Sequence, residues 1–184
     1  MRYSVHGFHA AALATLLFSA PARAEDAVRR LEADLTASPS ATQFLTDRCA
    51  ALKLASPPVI KAERAHETRA AGAEVRKWLN VGTDTVLGYR RVKLACGAHV
   101  LSEADNWYVP GRLTPEMNHV LDTSDTPFGA VVRPLNFHRN TLKMEALDEP
   151  AHALRVTAVL IAGDGKPFSL VVENYSRDLV TGDH

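Results

Sequence analysis

The stretch VLGYRRVKLACGAHVLSEADNWYVP, residues 86–110, reads as two long strands joined by a tight turn at Gly97-Ala98. Val, Leu, Tyr and Trp recur along it, and the break is a glycine flanked by small residues. Side chains alternate between the two faces of a strand. Val86, Arg90, Val92, Leu94 and Cys96 therefore point one way, and Leu87, Tyr89, Arg91, Lys93 and Ala95 the other. Each face is apolar at its ends and interrupted by an arginine. An arginine buried in a strand must find an acid or hold an anionic ligand, because an unpaired buried charge is too costly.

On the N-terminal side, residues 25–37 place Val28, Leu31 and Leu35 at helical spacing, with acids near the start. Ser38-Pro39-Ser40 breaks that helix, and Ser40 caps a second one running to about Leu54, with Phe44, Leu45, Ala51 and Leu52 near one stripe. Ser56-Pro57-Pro58 ends it. Residues 59–65 read as a strand, 66–72 as a polar loop and 73–79 as a helical turn. Beyond the hairpin, Thr114-Pro115-Glu116 is a helix start, with a capping hydroxyl, proline at the first position and an acid in the first turn. That helix is expected to end near Leu121, and Thr126-Pro127 opens a short turn through Val131. Residues 133–146, 153–162 and 167–175 read as strands, the last two joined by the hairpin signal Asp164-Gly165. Ser169, Val171, Glu173 and Tyr175 share one face of the last strand. The tail 176–184 is polar and expected to fray. Tight turns between neighbouring strands imply an antiparallel sheet, so the predicted fold class is α+β with helices packed on that sheet.

The first residues carry a different signal. MRYSVHGFHAAALATLLFSAPARA has a short basic start, an apolar run from Phe8 to Phe18 and an Ala22-Arg23-Ala24 cleavage pattern. The run is too short to span a bilayer. The expected organisation is a signal peptide at 1–24 and one domain at 25–184, exported to the periplasm or secreted; the competing reading is an uncleaved anchor. The 160 residues left are enough for one core, and their 19 basic against 21 acidic side chains argue against nucleic acid or an anionic membrane as partner. A monomer is expected. The two cysteines, Cys49 and Cys96, are either bridged or two buried thiols, and the oxidising compartment favours a disulfide.

The usual catalytic patterns are missing. His66, His99, His119, His138 and His152 are scattered without metal-ligand spacing, so no metal and no cofactor is expected. There is no G-x-S-x-G, no C-x-x-C and no phosphate loop. Arg91 and Glu173 remain, both mid-strand among apolar residues. If they face one pocket, the arginine can clamp a carboxylate and the glutamate can act as a general acid. The alternative is a plain cross-strand ion pair or two solvated side chains, and pattern alone favours that alternative.

Several stretches together resemble the chorismate pyruvate-lyase family, whose members make 4-hydroxybenzoate, and more loosely the effector-binding UTRA domains of the same fold. Ser40-Ala41-Thr42 resembles the family's short S-x-T element opening a helix. Tyr89–Cys96 resembles a strand with a substrate-binding arginine, and Arg91 takes that place when the following cysteine is aligned. Asp125-Thr126-Pro127-Phe128-Gly129 resembles a T-P-L-G turn that contacts the ligand, which puts Phe128 at the contact. Arg139 lies where the family has a further arginine. Gly165-Lys166-Pro167 and the strand after it resemble the segment with the family's acid, here Glu173.

The resemblance implies an antiparallel sheet of about six strands and an enclosed carboxylate ligand. It also implies Arg91 and Glu173 as catalytic residues, with Arg91, Phe128, Glu173 and Arg139 binding the ligand. The arginine would hold the carboxylate, and the glutamate would meet the para oxygen as the enolpyruvyl ether leaves. Two positions differ: Ala41 replaces a methionine, and Asn106 replaces an arginine four residues before Pro110. The lyase is also cytosolic. The expected function is therefore lyase-type elimination of pyruvate or, alternatively, non-catalytic periplasmic binding of a small aromatic carboxylate.

Overall fold

The structure, a computed structural model, describes residues 20–181, with side chains for residues 24–180. The expected signal peptide therefore lies outside the described residues, apart from 20–24 in the first turns of a helix.

Helix α1 (Ala20–Ala37) buries Ala27, Leu31 and Leu35, one stripe at a spacing of four. Helix α2 (Ala41–Ala51) starts where the Ser40 side chain accepts from Gln43 N, 3.1 Å away, and buries Phe44, Leu45 and Cys49. It ends sooner than the sequence suggests, because Lys53 turns left-handed, φ +53°. Strand β1 (Ile60–Ala65) and the short helix α3 (Ala73–Leu79) follow. The long hairpin is β2 (Gly88–Cys96) and β3 (His99–Tyr108). Gly97 takes φ +57° at the first position of its two-residue turn, where a glycine matches the twist of the strands.

Helix α4 (Pro115–Thr123) is capped by Thr114, and α5 (Phe128–Val131) is a single turn. The segment read as one strand from residue 133 divides. Arg133–Leu135 form a 3-10 turn, Asn136 goes left-handed at φ +48°, and β4 covers His138–Ala146. Strands β5 (His152–Ile161) and β6 (Pro167–Ser176) meet at Gly165, φ +83°. The tail does not simply fray: α6 (Asp178–Thr181) follows, and its Leu179 is wholly buried in the core.

All six strands form one antiparallel sheet in the order β1-β2-β3-β6-β5-β4. The expected α+β class with about six strands is therefore correct. One face carries α1, α2 and α6, packed through Leu31, Phe44, Leu45 and Leu179 onto Val92, Leu94, Val156 and Tyr175. On the same face Met117, Leu121 and Phe128 of α4 and α5 pack on Tyr108, Leu160 and Val171. The opposite face is also partly covered. Leu79 and Val75 of α3 lie on Trp107, Leu170 and Val159.

The disulfide between Cys49 and Cys96 is formed, with Cα atoms 6.1 Å apart. It ties the end of α2 to the hairpin turn. No helix among the described residues is long and apolar enough to cross a membrane.

Candidate functional site

Between the helix-covered face of the sheet and the α2 and α5 turns lies a cavity of about 50 Å³. Strand pairing shows how it is built. Arg90, Asn106, Val171 and Ala158 form one row across β2, β3, β6 and β5, and Val92, Ala104, Glu173 and Val156 form the next. Even-numbered side chains of β2 and odd-numbered ones of β6 thus point the same way. The walls are Val92, Leu94, Ala104, Leu160, Val171 and Phe128. The polar groups are Ser40, Thr42, Arg90, Asn106, Arg139 and Glu173.

Arg90 is 3% exposed. Its Nη1 donates to Thr126 O and its Nη2 to Ser124 O, each 3.1 Å away, and its Nε is buried without a partner. No carboxylate among the described residues forms an ion pair with it. Burial pushes its pKa down, and the charge of Arg64 pushes the same way; Tyr108, Asp122 and Asp125 act against them. This is a desolvated cation held by two carbonyls on the wall of a cavity.

Glu173 and Arg139 form a buried ion pair through Glu173 Oε2 and Arg139 Nη2. Tyr175 Oη donates to the same Oε2 from 3.0 Å. Burial lowers the pKa of Arg139, but the charge and hydrogen bond of Glu173 outweigh it, so the net shift is upward. Burial and then the charge of Glu173 hold the Tyr175 phenol well above its ordinary range. Arg139 Nε is a second buried donor without a partner. Asn106 Oδ1 accepts from Ser169 Oγ at 2.5 Å, which fixes the amide on the cavity wall. Phe128 stands 5.5 Å from Tyr108 and 6.3 Å from Phe168, ring centre to ring centre.

Of the residues expected at the site, Glu173, Arg139 and Phe128 are brought together, along with the whole Ser40-Ala41-Thr42 element. Arg91 is not. It points to the opposite face, where its guanidinium meets Glu103 at 3.4 Å, Asp105 at 3.6 Å and Glu67 at 3.7 Å. The physical reason is strand alternation: Arg90 shares a face with Val92, Leu94 and Cys96, and Arg91 with Lys93. The cysteine alignment points to Arg91, whereas the member of the pair on the cavity wall is Arg90; both faces of β2 carry apolar residues beside their arginine, so alternation alone does not say which of them turns inward. Arg90 and Phe137 were missed as wall residues. The facing of β2 decides Arg90, and Phe137 comes in through packing. Among the described residues no group of His, Cys, Asp and Glu could hold a metal ion.

The six-stranded antiparallel sheet with helices packed on it has the chorismate lyase-like fold, as do effector domains of GntR-family regulators. PhnF from Mycobacterium smegmatis superposes with a TM-score of 0.52 at 12% identity, covering 77% of this chain and 65% of PhnF. The ligand-binding domain of a putative GntR-family regulator from Bordetella bronchiseptica has a TM-score of 0.50 at 17% identity, covering 65% of this chain and 86% of that domain. This chain thus spans slightly less than two thirds of PhnF.

The uncharacterized protein y4mC of Sinorhizobium fredii (strain NBRC 101917 / NGR234) is 40% identical over 178 residues, covering 83% of this chain and 75% of y4mC. The chain belongs to the y4mC family. No family model matches it.

Proposed function

We propose that this protein binds a small organic carboxylate in the cavity beneath α2 and α5. Arg90 takes the carboxylate, and the Glu173–Arg139 pair meets a polar group at the other end. The observation that carries this reading is Arg90: a buried guanidinium with an unused Nε and no ion-paired acid among the described residues. Two arginines against one glutamate leave the wall with one positive charge in excess. An anion offsets that charge, and a planar carboxylate matches the guanidinium fork. Both bonds to Glu173 fall on Oε2, and no described residue bonds Oε1, so that oxygen is open to a donor on the ligand. An aromatic hydroxy acid has both ends.

We further propose that the mature domain, residues 25–184, is exported and acts as a monomer. The A-x-A pattern and the Cys49–Cys96 bridge support the export.

A second reading, elimination of pyruvate from chorismate or a related enolpyruvyl ether, is supported by the acid that shares the cavity with Arg90. In that reaction Glu173 would have to deliver a proton to the ether oxygen. Its neighbours Arg139 and Tyr175 both donate to it, an arrangement that suits an acceptor better than an acid.

Calorimetry with 4-hydroxybenzoate and a series of aliphatic monocarboxylates tests the first reading, and pyruvate release from chorismate tests the second. Binding without turnover is the expected result. A protein that takes up no carboxylate of either series does not have this function.

A further inference from the structure

At about 50 Å³ the cavity is a third of the roughly 150 Å³ that accommodates benzene in an engineered protein core, so a ring-sized ligand needs the wall to move. A larger space lies directly outside. An outer groove of about 380 Å³ is lined by Gln43, Arg133 and Asn136, and it shares Ser40, Gly129 and Phe137 with the inner cavity. Those three residues are therefore the partition between the two.

Two of the three are held in place. Ser40 is the cap of α2 and accepts from Gln43 N. Gly129 is pressed against α2: a Cβ there would lie 2.7 Å from Thr42 Oγ1. Its φ is not in the left-handed region, so what the position demands is space. Phe137 is the member with freedom. It is half-buried, lies between the 3-10 turn and β4, and touches Phe168 edge-on at 5.9 Å. It also directly follows Asn136, φ +48°, where the chain changes direction. Arg133 stands exposed in the outer groove and has no ion pair among the described residues.

We propose that the outer groove is the access vestibule of the inner cavity, with Phe137 as the gating side chain and Arg133 selecting organic anions at its mouth. The gate is independent of what the cavity holds, whereas the selection rests on the anion-binding reading above. A cleft with one sign of charge concentrates the opposite ion and speeds its arrival. A gate that swings aside also explains how a cavity too small for a ring can admit one.

A thiol inside the cavity reads the passage without any knowledge of the natural ligand. Both native cysteines are bonded to one another, and Ala104 lines the inner wall, so Ala104→Cys introduces one reactive group there. Its thiolate displaces iodide from iodoacetamide or iodoacetate, forming a carbon–sulfur bond, and the ratio of the two rates cancels the ionised fraction of the thiol. Phe137→Ala in this background should speed both reagents several-fold, and Gly129→Val should slow both. Arg133→Gln should slow iodoacetate a few-fold and leave iodoacetamide unchanged.

If Phe137→Ala leaves both rates where they were, the thiol is reached by another route and the gate is wrong. If Arg133→Gln changes the two reagents equally, the anion selection is wrong. Should Gly129→Val fail to fold, the Phe137→Ala arm decides alone. Carboxylate binding by the unaltered protein is measured separately, so loss of the binding function and loss of the gate are told apart.

Discussion

Arg90 and Arg91 are adjacent in β2 and serve opposite faces of the sheet. Arg90 reaches under the helices to the carbonyls of Ser124 and Thr126. Arg91 ties the segment before α3 to β3 through Glu67, Glu103 and Asp105. One is a buried cation with no ion pair among the described residues, and the other is a half-exposed cation with three.

This contrast separates ligand binding from scaffolding. Arg90→Ala should weaken 4-hydroxybenzoate binding by about 2–5 kcal/mol, the range for truncating one partner of a buried charge pair. Arg90→Lys should restore little, because an ammonium lacks the planar fork. Arg91→Ala should leave affinity near that of the unaltered protein and speed amide exchange in residues 66–72. Equal losses in calorimetry for Arg90→Ala and Arg91→Ala would place the ligand elsewhere.

The Glu173–Arg139 pair should be costly to break and cheap to replace. Glu173→Gln leaves Arg139 buried without its counter-charge, which costs about 3–5 kcal/mol in comparable buried pairs. Removing both charges, as Glu173→Leu with Arg139→Met, should recover much of that loss, because an apolar pair incurs no desolvation of charge. Urea midpoints of the single and double variants give the comparison. A double variant as unstable as the single would mean that the pair is a net stabiliser.

The disulfide closes a loop with a sequence separation of 47 residues. Its loss should cost about 4 kcal/mol on the chain-entropy account. Cys49→Ala with Cys96→Ala should show it in the denaturation midpoint. Mass spectrometry of native protein alkylated without reduction should find neither cysteine modified.

Alkaline pH should erode stability through Tyr89. Burial first, and then its hydrogen bond to Asp105 and that residue's charge, push its phenol up to about 12. An unfolded tyrosine ionises near 10. The folded value is the higher one, so the contribution is complete below about pH 10 and is lost as the pH rises towards 12. Urea midpoints between pH 9 and 12 should fall less steeply for Tyr89→Phe than for the unaltered chain. Some slope should remain, because Tyr108 and Tyr175 are also shifted upward.

Local chemistry made the fold legible. Ser40 and Thr114 cap the helices they were expected to cap, and Gly97 and Gly165 turn the two hairpins. These signals are decided within a few residues, by one hydroxyl or by one φ angle that glycine adopts freely. Period-two alternation placed Arg90, Val92 and Leu94 on one face, and Glu173 with Tyr175 on another strand's matching face. The signals failed where a conformation depended on distant partners. Asn136 breaks the segment read as one strand, and α6 forms because Leu179 has a core to enter.

What the sequence by itself determined was the order of elements, the antiparallel class, the one pair of cysteines available to bond, and which residues of each long strand share a face. Tertiary structure alone decided that Arg90, Glu173, Arg139 and Phe128 share one cavity and that Arg91 does not. A cavity is a product of packing between segments far apart in the chain. Its walls come from all the strands but β1 and from the turns of α2 and α5. Alternation along a strand says which side a residue faces, but what lies on that side depends on which elements the sheet order brings next to it.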